Sequence, residues 1–201
     1  RALAAKVGSR CAALRLATAL KWRCKNLNAT DMTTLAMLFS TGALARVEEL
    51  DLAFNYFGPA GGSALLAGLG CGDAPLLRYL NLCNTGIGTQ GASALAGALS
   101  RGALPKLEVL HVNHNEMGDA ALAALALPLR RRPALRILDL GSNSISDTGL
   151  SALLDNLGEK ELKQLKWLNM ANNQISDAGC ATITAALDLH ALPSLEHASL
   201  Y

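Results

Sequence analysis

Seven positions recur almost evenly along this chain and leave little freedom in how it folds. Leu20, Leu50, Leu80, Leu110, Leu138, Leu168 and Ala198 are separated by 30, 30, 30, 28, 30 and 30 residues. A fixed period of this size marks a solenoid, in which a unit too small to bury its own apolar face stacks on its neighbours. The chain has 201 residues, 51% of them hydrophobic, enough for a continuous core in one repeat array.

The unit can be read residue by residue. Each opens on a short strand of form LxxLxL, as in LRILDL at 135–140, preceded in four units by Pro75, Pro105, Pro133 or Pro193 in a return loop. Two variable residues then lead to Asn55, Asn115, Asn143 or Asn173, followed two positions later by Phe57, Met117, Ile145 or Ile175. A short amide at that point can satisfy backbone groups freed where the strand turns inward, and stacked repeats can share these bonds as a ladder. Thr85 and Lys25 stand at the same position in the other two units. Beyond the turn the apolar spacing becomes helical, with pairs four apart: Leu35 and Phe39, Leu65 and Leu69, Leu95 and Leu99, Leu125 and Leu129, Leu153 and Leu157, Ile183 and Leu187. These pairs are expected on the inner helix faces. Asp119, Asp147 and Asp177 share one position and are expected to cap the start of their own helices. Gly61, Gly91, Gly149 and Gly179 share another, where a small residue lets helix and strand layers approach. The single 28-residue unit is two residues short in the return loop around Arg130, Arg131 and Arg132, so strands and helices should stay in register.

The pattern LxxLxLxxNxI followed by a GxxxL helix resembles the leucine-rich repeat family, in particular its long, ribonuclease-inhibitor-like intracellular type. The resemblance covers residues 17–201, about six repeats and a final partial strand, and leaves 1–16 as a basic N-terminal helix or capping segment. It implies an α/β horseshoe, with a parallel sheet lining the inner curve and helices outside. Relatives of this type include inhibitors and a GTPase-activating protein, so it also implies protein partners.

Because side chains alternate across a strand, the residues between the inward leucines face the concave surface. One row of that face contains Glu49, Tyr79, Val109, Ile137 and Trp167; the next contains Asp51, Asn81, His111, Asp139 and Asn169, with Phe54 flanking a third row that includes Arg23, Ala53 and Gly141. Tyr79, Val109, Ile137 and Trp167 are four consecutive apolar side chains where the fold leaves them open to solvent, beside a polar row able to fix register. The ten residues named in the first two rows, together with Phe54, form the candidate partner-binding surface. With strands about 4.8 Å apart, seven of them make a floor roughly 30 Å long, the size of a helix or a protein edge.

Other chemistry is poorly supported by the residues. His111, His114 and Asp139 could meet on adjacent strands, yet a lone His and Asp pair on an open floor reads as solvated polar contacts, so neither a metal site nor a catalytic residue is expected. No CxxC or HExxH motif occurs and no cofactor is implied. A net charge of +2 gives no reason to expect nucleic acid, and no apolar run reaches the length of a membrane span. The LRRRPA run at 129–134 reads as a charged, solvated loop. Five cysteines, odd in number and irregularly spaced, suit reduced thiols in an intracellular, cytoplasmic setting. Residues 1–30 carry seven basic residues and no acid, which reads as a basic helix covering the end of the array or as the remnant of an organelle-targeting segment. The function expected is a non-enzymatic protein-protein interaction module. The alternatives are a structural subunit of a larger assembly, suggested by Leu200 and Tyr201 stopping within a strand, or the regulator of an enzyme such as a GTPase.

Overall fold

The computed structural model describes residues 2–8, 11–155, 157 and 161–201. Arg1 and Arg10 of the basic N-terminal segment lie outside the described residues. In chain order the elements are α1 (Ala2–Val7), α2 (Cys11–Leu14), β1 (Ala19–Lys21), α3 (Ala29–Ser40), β2 (Glu49–Asp51), α4 (Gly58–Ala67), β3 (Tyr79–Asn81), α5 (Gly88–Ser100), β4 (Val109–His111), α6 (Gly118–Arg130), β5 (Ile137–Asp139), α7 (Asp147–Leu154), β6 (Trp167–Asn169), α8 (Asp177–Asp188) and β7 (His197–Ser199). The seven strands form one parallel sheet in the order β1 to β7. Each helix from α3 to α8 connects two neighbouring parallel strands and covers one face of the sheet.

Register follows the repeat. Glu49 pairs with Tyr79, Tyr79 with Val109, Val109 with Ile137 and Ile137 with Trp167. The two-residue deficit before β5 is taken up before the strand begins, so Leu110 still lies opposite Leu138. Leu50, Leu80, Leu110, Leu138 and Leu168 point toward the helices and are buried, as are Leu52, Leu82, Val112, Leu140 and Met170. They meet Leu35, Phe39, Leu65, Leu95, Leu99, Leu125, Leu129, Leu153 and Ile183 from the helical layer in one core cluster. At 1.5 to 3 kcal/mol for each large apolar side chain removed from water, this burial is the main force holding unit to unit. Leu3 and Leu14 of the N-terminal segment join the same cluster. Lys6 reaches from α1 to Asp31 at 2.5 Å, and Asp31 also forms a capping box with Asn28 at the start of α3.

Two of the apolar pairs depart from the expected inner face. Helix α7 stops at Leu154 because Asp155 turns extended, with φ −66° and ψ 136°, so Leu157 lies beyond the helix and is only half-buried. Leu187 on α8 is 41% exposed, because the α8 face opposite α7 has no described element packed on it.

The asparagine ladder forms. Asn143 Oδ1 accepts the amides of Asn115 and Met117 in the preceding repeat at 3.0 and 3.4 Å, while its Nδ2 donates to the carbonyls of Val112 and Leu140 at 2.9 and 3.0 Å. Asn55, Asn115 and Asn173 make the same connections one repeat back. Thr85 supplies only part of it. Its hydroxyl donates to Leu82 O at 2.8 Å, but the Phe57 amide, which an asparagine at 85 would receive, turns back to Asn55 O at 2.7 Å.

The aspartates act differently from the expectation. Helices α7 and α8 are capped by Ser146 and Ser176, and Asp147 and Asp177 are their first helical residues. Asp119 instead reaches forward one repeat, accepting the Ser146 amide at 2.7 Å and its hydroxyl at 2.6 Å; Asp147 does the same with Ser176 at 2.8 and 2.5 Å. Each carboxylate therefore holds the capping serine of the next helix, and the hydrogen bonds from Ser176 lower the Asp147 pKa below its ordinary value. This contact also explains Gly149 and Gly179, whereas a Cβ on Gly61 or Gly91 would meet Phe57 or Ile87 of its own turn. A Cβ on Gly149 would lie 2.5 Å from Asp119 Oδ1 and 2.8 Å from Ile145 Cγ2, so the small residue makes room for the neighbouring repeat's aspartate and its own turn rather than for the sheet.

Of the three arginines at 130–132, only Arg131 is exposed. Arg130 pairs with Glu161 at 2.6 Å, and Arg132 donates to Leu99 O at the C-terminal end of α5, where a cation complements the helix dipole. The run closes helix ends instead of forming a solvated loop.

Candidate functional site

In β1 to β6 the strands present side chains to solvent on the face turned away from the helices; at the end of the sheet Ala198 of β7, in register with Leu168, is exposed as well. Glu49, Tyr79, Val109, Ile137 and Trp167 occupy one row, held side by side by the strand register, and all are half-buried. The expected exposure is thus partial: each side chain of the row leans on its neighbours. The rings are not isolated either. His111 lies between Tyr79 and Trp167, with ring centroids 5.6 and 6.4 Å away, so the three rings of β3, β4 and β6 form one aromatic cluster.

In the second row Asp51, His111 and Asn169 are half-buried, whereas Asn81 and Asp139 are buried, at 8% and 7% exposure. The Asp139 carboxylate is occupied by its own chain. Its Oδ1 accepts from Asn169 Nδ2 at 2.8 Å and from the Gly141 amide at 3.1 Å, and His111 Nδ1 lies 3.3 Å from Oδ2. Asn81 donates to the Tyr79 hydroxyl at 3.2 Å and accepts from the Cys83 amide at 2.9 Å. Asp139 and Asn81 therefore orient neighbouring side chains more than they offer themselves to solvent. Burial raises the Tyr79 hydroxyl and the Cys83 thiol above their ordinary pKa values. In the third row Ala53 and Gly141 are buried, because the chain is already turning into the core there and Gly141 faces Asn169 Nδ2 and Ala171 O.

Phe54 stands at the edge of the face and is 42% exposed. Its backbone is left-handed, with φ 58°, at a position filled elsewhere by Asn84, His114, Ser142 and Asn172. Arg23 stacks over its ring at 4.3 Å. His114 projects outward, so only His111 meets Asp139, and among the described residues no three His, Cys, Asp or Glu side chains come together as metal ligands. Also among the described residues, no helix is long and apolar enough to cross a membrane.

A further row was missed by attention to the residues between leucines. Glu48, Arg78, Glu108, Arg136, Lys166 and Glu196 each lie two residues before the central position of their strand and border the aromatic row. Arg78 bridges Glu48 at 3.8 Å and Glu108, and Lys166 pairs with Glu196 at 2.5 Å. The interval that relates the leucines relates this row as well, and six of its seven members are charged, Thr18 before β1 being the exception.

Comparison with solved structures places the architecture among known stacks. The chain is similar to leiomodin-1 actin-binding site 2, with 17% identity and a TM-score of 0.55 over 70% of this chain and 77% of that one. It is also similar to internalin C2 from Listeria monocytogenes, with 21% identity and a TM-score of 0.51 over 100% of this chain and 91% of that one. No curated protein matches the sequence. The Leucine Rich repeat family matches at residues 47–66, 74–96, 103–126, 133–154 and 164–183, one segment for each of five successive units and together more than half the chain. With its repeats matched in sequence and stacked strand beside strand in space, the chain belongs to the leucine-rich repeat family.

Proposed function

We propose that this chain is a non-enzymatic protein-binding module that receives a partner protein on the open, concave face of its sheet. The observation that carries the reading is the aromatic and aliphatic row of Tyr79, Val109, Ile137 and Trp167, half-exposed in consecutive register and joined by His111. A contiguous apolar strip bordered by polar groups that are already oriented is the composition of an interface centre. Glu49, Asp51, Asn81, Asp139, Asn169 and Phe54 frame it. The face is shallow and open, and among the described residues no hydroxyl or thiol is hydrogen-bonded to its His111–Asp139 pair, which favours recognition over catalysis. A role as a subunit of a larger assembly or as regulator of an enzyme would use the same face.

The test is a double substitution, Tyr79→Ala with Trp167→Ala, in affinity capture from native extract. Removing two aromatic anchors is expected to weaken partner capture by roughly a hundredfold or more while far-UV circular dichroism stays unchanged. Capture that survives the double substitution on a folded protein rejects this face as the binding surface.

A further inference from the structure

The charges on the open face are not evenly used. Every carboxylate there is engaged by its own chain: Glu49 with Lys21 at 3.4 Å, Asp51 with the Ala53 amide at 3.0 Å, Glu48 and Glu108 with Arg78, Asp139 with Asn169 and His111, and Glu196 with Lys166. Among the described residues, two arginines on this face have no carboxylate or carbonyl partner: Arg23 at the β1 end and Arg136 beside Ile137 on β5. Both are exposed.

Neither position is neutral in its surroundings. Arg23 lies flat over Phe54, and a stacked guanidinium keeps its N–H edges directed outward in the planar fork that matches a carboxylate. Phe54 occupies the left-handed turn position that Cys24, Asn84, His114, Ser142 and Asn172 fill in the other repeats, and from there its ring lies under Arg23. Arg136 stands between Glu108, which is engaged with Arg78, and Lys166, which is engaged with Glu196, so its guanidinium is left without an ion-pair partner beside the Ile137 and Trp167 part of the apolar row. Four strand spacings separate the two arginines, about 19 Å across the sheet, with Tyr79 and Val109 on the strands between.

We infer that the partner is a protein segment bearing acidic side chains on either side of an apolar anchor, its carboxylates seated on Arg23 and Arg136 and its apolar residue on the row between Tyr79 and Trp167. The inference rests on the proposed use of this face and adds the chemistry of what it selects. A basic segment would find Glu48, Glu49, Glu108 and Glu196 already paired with the chain's own cations and Asp51 and Asp139 already accepting hydrogen bonds from their own chain, whereas an acidic one meets two cations whose pairing has been left to it.

A random peptide library displayed on phage tests this, selected on the wild-type chain and counter-selected on the Tyr79→Ala/Trp167→Ala variant. The expected survivors carry Asp or Glu flanking Leu, Phe or Trp. Arg23→Glu and Arg136→Glu should each weaken a representative survivor by roughly tenfold, less at high salt, and Arg23→Lys should fall between wild type and Arg23→Glu. Survivors with no acidic enrichment, or binding unchanged in both charge-reversed proteins, overturn the inference and leave the apolar row standing as a binding site. A pool that binds the double alanine variant equally well overturns the reading of the face itself. If a single-stranded oligonucleotide binds through the same two arginines while acidic peptides do not, the assignment to a protein segment is overturned.

Discussion

At position 85 a threonine stands in a ladder otherwise carried by asparagine. The two differ in a single capability that matters here. Asparagine offers a carbonyl oxygen to two amides of the preceding repeat and an amide to its carbonyls, whereas the Thr85 hydroxyl has one proton, directed to Leu82 O and Asn115 Oδ1, and reaches no further back. The Phe57 amide folds onto Asn55 O as a consequence. Thr85 is fully buried like Asn143, and the surrounding unit has the same register, so the larger amide should fit. Thr85→Asn is expected to raise stability by about 1 kcal/mol, the net worth of a completed hydrogen-bond set. A urea midpoint that rises, together with stronger hydrogen-exchange protection at the Phe57 amide, would establish the effect; a lowered midpoint would show that the cavity cannot take the amide.

Each connection between strand and helix is six or seven residues of irregular backbone, part of it buried, and buried backbone of this kind survives only when its polar groups are matched. Asn143 does this for two repeats at once, with the Asn115 and Met117 amides behind it and the Val112, Leu140 and Gly141 carbonyls around it. Truncating it strands several of these groups away from water. Asn143→Ala is expected to cost about 3 to 5 kcal/mol by chemical denaturation, while Lys166→Ala, which removes an exposed ion pair, should change stability by less than about 1 kcal/mol. Equal losses in the two variants would mean that the ladder contributes no more than a surface charge. The aspartate and serine contacts add a second tie between units, placed at the helix starts instead of the turns.

In the whole stack each unit touches only its neighbours, so stability should grade along the array. The interior helix α5 buries Gly91, Ala92, Leu95, Ala96, Ala98 and Leu99, while α8 buries only Gly179, Ile183 and Ala186. Hydrogen exchange is therefore expected to be slowest in β3, β4 and β5 and fastest in α8 and β7, with the amides of α8 opening independently at low denaturant. Uniform protection along the chain would show a single cooperative unit and contradict the nearest-neighbour picture.

The amino-acid sequence by itself determined the period, the strand register and the identity of the side chains on each face of the sheet. Those follow from local spacing: alternate residues point opposite ways, and a constant interval aligns them between units. Only the tertiary structure decided how the side chains are employed. Asp119 holds the capping serine of the next helix instead of capping its own, Asp139 is buried in a network with Asn169 and His111, and Arg132 closes α5, because each partner lies a repeat away and its reach depends on backbone geometry that periodicity does not specify. The same holds for Arg23 and Arg136. Their charge is plain in the sequence, but that they alone among the described cations of this face flanking the apolar row lack a carboxylate emerges only once every neighbouring ion pair has been formed in three dimensions.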